Sequence, residues 1–457
     1  MFFTGKRPLS SNSLSNQDGY IAYLVLTLLV IIAFLLNAVF LGYARQNKGL
    51  EDAKKKIQLG YVLRVAEDYI GNLMNSPDGP IGLLAENEFK KELDPESGFI
   101  ISASRKGCVM DCVIKARYKD RVVTVNKTIG QRHKYLQNSA LYVFGGMSGL
   151  ILGGKAAIEG DVHLPSGTVN TSSSGYFRYT GQVPVKGRVL GDAGKYDAYL
   201  DNRLAMAEAA TAEALINRVV QKGAGAASGN ISGAFSNPGT VYEHSGDAIL
   251  DNAGSIDMNK GTLVMTGNLF LKGQSSLCNG SIYIKGAIEL RDNSSLTEVI
   301  VVSGNGISAF NQTALKGQFF TSGTISINNY TMCRNFTLLF SDPMLFNNET
   351  GSPGIRIMDR AKVHGVAVLN APEQSRNIGF VLDEEATING FLYCSAGADI
   401  RGMVMGQTWV STLACQYDRT LHGSTMKDGR LEVLKQDWQI YVPPLFGVKK
   451  DLAFYDE

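Results

Sequence analysis

Six cysteines, five histidines and one short stretch of acids are the side chains here whose types could do chemistry. Cys108, Cys112, Cys278, Cys333, Cys394 and Cys415 are an even set, which outside the cytosol permits disulfides. Cys108 and Cys112, in Gly107-Cys-Val-Met-Asp-Cys112, are the best local pair for a bridge. Cys394 and Cys415 are 21 residues apart, a spacing that would stack them in neighbouring coils of a repeat. For the last four the competing reading is a buried free thiol packing as a small hydrophobe. There is no paired Cys-x-x-Cys set, and His133, His163, His244, His364 and His422 have no metal-ligand spacing, so no metal is expected. Asp247, Asp251 and Asp257 could act as acid and base only if two faced each other across about 5–10 Å. Alternating strands and turns put acids on every surface, so a structural role is expected for them. Neither a Gly-x-Ser-x-Gly elbow nor a phosphate-binding Gly-Lys-Ser/Thr loop occurs. The expectation is a non-enzymatic protein with no cofactor.

The elements that would position these residues follow from composition and pattern. Lys and Arg number 44 against 42 Asp and Glu, a balance that speaks against a nucleic-acid partner. Glycine is frequent (50) and proline sparse (12) without a triplet period, which points to many tight turns between short strands. A hydrophobic share of 44% argues against disorder.

Residues 19–44 are 26 consecutive positions without a charge. About 20 such residues cross a bilayer as a helix. The run is too long for the apolar core of a cleaved signal peptide, which is roughly 7–15 residues. A plain signal-anchor helix fits it. Beyond the run, Leu50, Ala53, Ile57, Tyr61 and Val65 recur at helical spacing, so the helix is expected to continue as an amphipathic one to about residue 75.

The leader, residues 1–19, is polar, carries Lys6 and Arg7, and ends in Gln-Asp-Gly. A polar leader ending in glycine, an apolar helix and an amphipathic continuation resemble type IV pilins and pseudopilins, the minor pilins above all. The resemblance covers the first 75 residues. It implies cleavage between Gly19 and Tyr20, and packing of the helix among pilin-like subunits. Leu24 stands where most pilins carry glutamate. By the positive-inside rule, Arg45, Lys48, Lys54, Lys55 and Lys56 would place the body in the cytoplasm. The even cysteine count, the Asn/Ser/Thr-rich body and the pilin resemblance favour a periplasmic or extracellular body.

Residues 76–140 read as a small α+β spacer. Pro77, Gly79 and Pro80 break the helix, a short helix follows at 83–93, and two strands flank Lys119-Asp120 as an antiparallel hairpin. From 141 to 430 short units recur, such as Ser281-Ile-Tyr-Ile-Lys-Gly286, with apolar residues one apart and a Gly or Asn at each end. Units of about six residues predict a parallel β-solenoid (β-helix), whose stacked coils supply each strand's partners. The competing fold is an antiparallel sandwich. A helix is expected to be inserted at 195–221, with Leu200, Leu204, Ala207, Thr211, Leu215 and Val219 on one face, followed by a return loop at 223–239. Residues 431–457, with Trp438, Tyr441, Pro443 and Pro444, are the expected C-terminal cap.

The Gly-Phe-Leu-Tyr, Ile-Arg-Gly-Met-Val-Met-Gly and Pro-Pro-Leu-Phe-Gly segments resemble surface proteins of Bacteroidota-like bacteria that join a pilin-like helix to a solenoid. Bactofilin-type solenoids are a looser likeness. The whole reads as mainly β, anchored in a membrane and displaying a solenoid for assembly or surface contact. A plain anchored adhesin binding a surface glycan or protein is the alternative, and a polysaccharide-active β-helix is less favoured.

Overall fold

The computed structural model describes residues 12–74, 88–131, 138–173, 175–191, 200–222, 231, 235–346, 352–371, 378–433 and 452–456. The helix-breaking Pro77 and Pro80, His133, most of the return loop and Trp438, Tyr441, Pro443 and Pro444 lie outside the described residues. The chain forms two compact units. One comprises Met1–Glu67, Lys90–Ile100 and Lys115–Thr124, and the other Asp68–Phe89, Ile101–Ile114 and Val125–Glu457.

In the first unit a helix, α1, begins at Asn12 and continues into the second unit to end at Met74, 63 residues in all. At 1.5 Å per residue that is about 95 Å. The apolar run has no proline and no charge to interrupt it, and a helix satisfies its backbone polar groups internally. Four strands follow in the chain: β1 (Phe89–Asp94), β2 (Ser97–Lys106), β3 (Val109–Tyr118) and β4 (Arg121–Gln131). They are sheet neighbours in that order, and their two-residue connections allow only antiparallel pairing. The hairpin expected around Lys119-Asp120 is present. The stretch 83–93 is not helical where described, since Phe89–Asp94 is the edge strand.

The β1–β2 and β3–β4 turns lie side by side, with the Lys119 N–H donating to Glu96 O at 2.7 Å. Two ion pairs join α1 to the second of these turns: Lys55–Asp120 at 2.7 Å and Asp52–Arg121 at 2.5 Å. Within this unit α1 buries Leu59, Val62 and Ala66. Of the apolar residues at helical spacing, Leu50, Ala53, Ile57 and Tyr61 are exposed and Val65 is half-buried. Periodicity had shown that a face is apolar, but not whether this chain covers it.

The second unit is built on a 24-stranded sheet whose pairings are parallel apart from one short hairpin. Three ladders run through it. In the first, Leu263, Ile282, Val301, Phe319, Leu339, Ala367, Leu392, Thr408, Leu141 and Val162 are successive partners. The second aligns Leu250, Leu271, Leu290, Ala309, Ile327, Ile357, Leu382 and Ile400. The third aligns Ile256, Leu277, Leu296, Leu315, Cys333, Val363, Ile388, Val404, Leu431 and Ile158. Almost all of these side chains belong to one buried apolar core. Early partners are 19 residues apart, as in Leu263, Ile282 and Val301, so the six-residue unit corresponds to one of three ladders. Corners need left-handed backbone, which Asn and Asp tolerate. Asp292, Asn311 and Asn329 all have φ near +50°, and their side chains hydrogen-bond in series at 2.9 and 3.0 Å.

The order of stacking is not the order of sequence. The strand Arg430–Glu432 pairs on one side with Met403–Tyr417 and on the other with Ala157–Glu159. Ser139–Val143 stacks on Met403–Tyr417 beside Arg430–Glu432, and Ala157–His163 stacks beyond both, so Arg430–Glu432 does not end the stack. The described end of the expected cap, Leu452–Asp456, pairs antiparallel with β4 from Gln131 to Lys127. The tail completes the small sheet.

One position in the three ladders is polar. Thr408 sits in the first ladder between Leu392 and Leu141, fully buried, and its hydroxyl has no hydrogen-bond partner among the described residues. Thr408→Val keeps the shape and removes the orphan hydroxyl. It should raise stability by about 1 kcal/mol, read as a higher urea midpoint. An unchanged or lower midpoint would show that the hydroxyl is bonded.

Candidate functional site: the anchor helix and the hairpin lock

Gly19 and Tyr20 both lie inside α1, past its first two turns, with no break in the helix at the expected cleavage position. Tyr20 is exposed, and so is every large apolar side chain through Tyr43. The described helix from Tyr20 onward is long and apolar enough to cross a membrane, and none of its most apolar stretch is covered by the chain. An exposed apolar sleeve this long is stable against hydrocarbon and costly in water.

Past the uncharged run, α1 carries two faces. One holds the buried Leu59, Val62 and Ala66. The other holds Leu50, Ile57 and Tyr61, which are 64%, 71% and 64% exposed. With 100° per residue, Gly42, Gly49, Ala53 and Gly60 share this second face within about 120°. A side chain added at Gly42, Gly49 or Gly60 would meet nothing. From Gly42 to Tyr61 this sector carries no charge.

In the second unit the β2–β3 turn is locked onto the parallel sheet. Gln318, buried, accepts the Cys108 N–H at 2.6 Å and donates its amide to Lys106 O at 2.8 Å. Gly107 has φ +62°, and a Cβ there would stand 2.4 Å from the Gln318 carbonyl oxygen. Beside it Arg105 donates to Leu204 O at 3.1 Å and lies 3.6 Å from the Glu208 carboxylate. The Tyr283 hydroxyl donates to the other Glu208 oxygen at 2.6 Å. Burial, and then the Glu208 charge, push the Tyr283 phenol above its ordinary pKa. Glu208 sits on helix α2 (Arg203–Lys222), which packs on the strands Thr262–Met265, Ser276–Ile284 and Ser295–Ser303. Of the expected helix at 195–221 the part from Arg203 on is helical, Leu200 lies before it, and its buried face is Leu204, Ala205, Glu208, Ala209, Ala212, Ile216 and Val219. Of the expected face, Thr211 is exposed. Hydrophobic spacing gave no signal for Glu208, Gln318 or Arg105, because a buried polar lock breaks the pattern used to find it.

The cysteines form no bridge. Cys108 lies in the β2–β3 turn and Cys112 inside β3, with about 10 Å of extended strand between them. A disulfide needs its Cα atoms within about 7 Å. None of the six cysteines is in a disulfide. Cys394 stacks on Val410, not on Cys415. Burial pushes the Cys333 and Cys394 thiols up to about 12, and Cys415 to about 11. Thiols so disposed are packing groups, not nucleophiles.

The three acids hold corners. Asp247 accepts the Asn268 N–H at 2.7 Å, Asp251 the Asn252 amide at 3.0 Å, and Asp257 the Asn259 N–H at 2.8 Å. The histidines have separate settings: His163 beside Tyr142, His244 3.2 Å from Asp247 O, His364 3.2 Å from the Asn389 amide, and His422 against Phe177. Burial lowers the His364 pKa. Among the described residues no group of three or more His, Cys, Asp and Glu could hold a metal. No family model matches the chain, and no curated protein or solved structure is significantly similar to it.

Proposed function

We propose that this chain is a non-enzymatic, single-pass membrane protein of the cell envelope. Its parallel body is read as a β-solenoid, displayed outside the membrane by α1 for assembly or surface contact. Within that reading α1 is a pilin-like packing helix, through which the chain joins similar subunits. One observation carries it: the charge-free face of Gly42, Gly49, Leu50, Ala53, Ile57, Gly60 and Tyr61, which the described chain leaves open. Small residues let helix backbones approach closely, and Leu, Ile and Tyr between them supply apolar area. A helix that served only as a tether would need apolar residues in the bilayer and nowhere beyond it. The solenoid reading is supported by three aligned apolar ladders with a repeat near 19 residues.

The test is the N-terminus of the mature chain from cells with an active prepilin peptidase, read by mass spectrometry. A first residue of Tyr20 is expected. Retention of Met1 would contradict the pilin-like reading and leave an anchored adhesin as the better account.

A further inference from the structure

Five basic residues follow the apolar run within four turns, and only one of them is engaged. Lys55 is paired with Asp120 at 2.7 Å. Arg45, Lys48, Lys54 and Lys56 are exposed and have no carboxylate partner among the described residues. Their heights follow from helix geometry. Counting from Ala44, Arg45 stands about 1.5 Å and Lys48 about 6 Å along the axis. The polar layer of one leaflet is roughly 5–7 Å deep. With Ala44 at the edge of the hydrocarbon, both residues lie at the depth of lipid phosphates, and α1 is unbroken through this region. Lys54 and Lys56, about 15 and 18 Å out, lie beyond that layer by about a Debye length.

The azimuth is equally specific. Arg45 and Lys48 fall on the side of α1 that bears Asp52, Lys55 and Leu59, away from the Gly42–Gly49–Gly60 sector. In an assembly packed through that sector they would face lipid and not a neighbouring helix.

We propose that Arg45 and Lys48 bind the headgroups of anionic phospholipids in the leaflet on the body side. The proposal rests on α1 spanning the membrane. Arg45 supplies the planar fork that suits a phosphate, and Lys48 a point charge that can reach back toward it. Basic side chains at a membrane surface attract anionic lipid, and salt weakens the attraction. No exposed acid lies between them: positions 46 and 47 are Gln and Asn.

The experiment reconstitutes the full chain in phosphatidylcholine vesicles. It compares spin-labelled phosphatidylglycerol with spin-labelled phosphatidylcholine in the motionally restricted shell. The expected result is a roughly threefold preference for the anionic lipid at low salt, falling toward one at high salt. The double variant Arg45→Gln with Lys48→Gln should lose the preference, whereas Lys54→Gln with Lys56→Gln should keep most of it. Equal shells for both lipids, or a preference unchanged by the first variant, would overturn the proposal. Alkaline extraction of the same vesicles separates the two failures. A chain that stays embedded without lipid preference refutes the headgroup contact only, and a chain that is extracted refutes the span beneath it.

Discussion

Replacing Leu29 and Ile32 together by lysine is expected to move the chain from the membrane pellet to the supernatant. Both positions lie near the middle of the uncharged run, and both are exposed. A lysine at the centre of a spanning helix costs about 3 kcal/mol relative to leucine or isoleucine. Two cost about 6 kcal/mol, which is more than a ten-thousandfold shift in partition. The remaining uncharged pieces, residues 19–28 and 33–44, are each too short to span by sliding past the new charges. Leu50→Lys, an equal change in charge beyond the run, should leave the chain in the pellet. A double variant that resists alkaline extraction would show that residues 19–44 are not what holds this protein to the bilayer.

Glu208→Ala is expected to open the contact between the β2–β3 turn and the parallel sheet. The carboxylate is almost wholly buried and serves both Arg105 and the Tyr283 hydroxyl. Removing it leaves a mostly buried guanidinium without its counter-charge and a buried phenol without its acceptor. Breaking such a pair from one side costs several kcal/mol when both groups are buried. Arg105 keeps some solvent and its bond to Leu204 O, so the expected loss is about 2–4 kcal/mol. Glu208→Gln retains an acceptor for Tyr283 and should cost less. A chain of this size need not unfold in one step, so the measurement is local. Hydrogen exchange at the Cys108 amide, bonded to Gln318, should speed up in Glu208→Ala, while amides in the Ser295–Ser303 strand stay protected. Unchanged exchange at Cys108 would mean that Gln318 holds the turn without help from Glu208.

Much of this architecture is legible in the residues. Length and composition alone mark the uncharged run as a helix long and apolar enough to cross a membrane. The recurrence of two apolar residues one apart, punctuated by Gly or Asn, specifies short parallel strands and left-handed corners such as Asn311 and Asn329. What stays hidden is pairing at long range. Nothing local in the strands of residues 139–163 says that they stack on Met403–Tyr417 and Arg430–Glu432. The partnership of Leu452–Asp456 with β4 joins segments more than three hundred residues apart.

Burial departs from simple alternation in both directions. Alternation assumes one wet face, but Tyr283, Val302, Phe320, Phe340 and Val368 lie on the outward side of the first ladder and are buried. Strands covered on both faces read as continuous apolar runs. On α1 the departure is the reverse: Leu50, Ile57 and Tyr61 form an apolar stripe that the described residues leave exposed. At Cys108 and Cys112 proximity in sequence suggested a bridge that extended strand geometry forbids. Without that bridge, the even cysteine count no longer favours a body outside the membrane.

The central claim is that α1 threads the bilayer once and carries the whole body on its outer side. Protease treatment of intact spheroplasts, followed by alkaline extraction, tests it most directly. The account predicts that the full chain is in the extracted pellet before treatment, and that added protease then degrades the body without lysis. A body protected until the cells are broken would contradict the outward orientation, and a full chain in the alkaline supernatant would contradict the anchor.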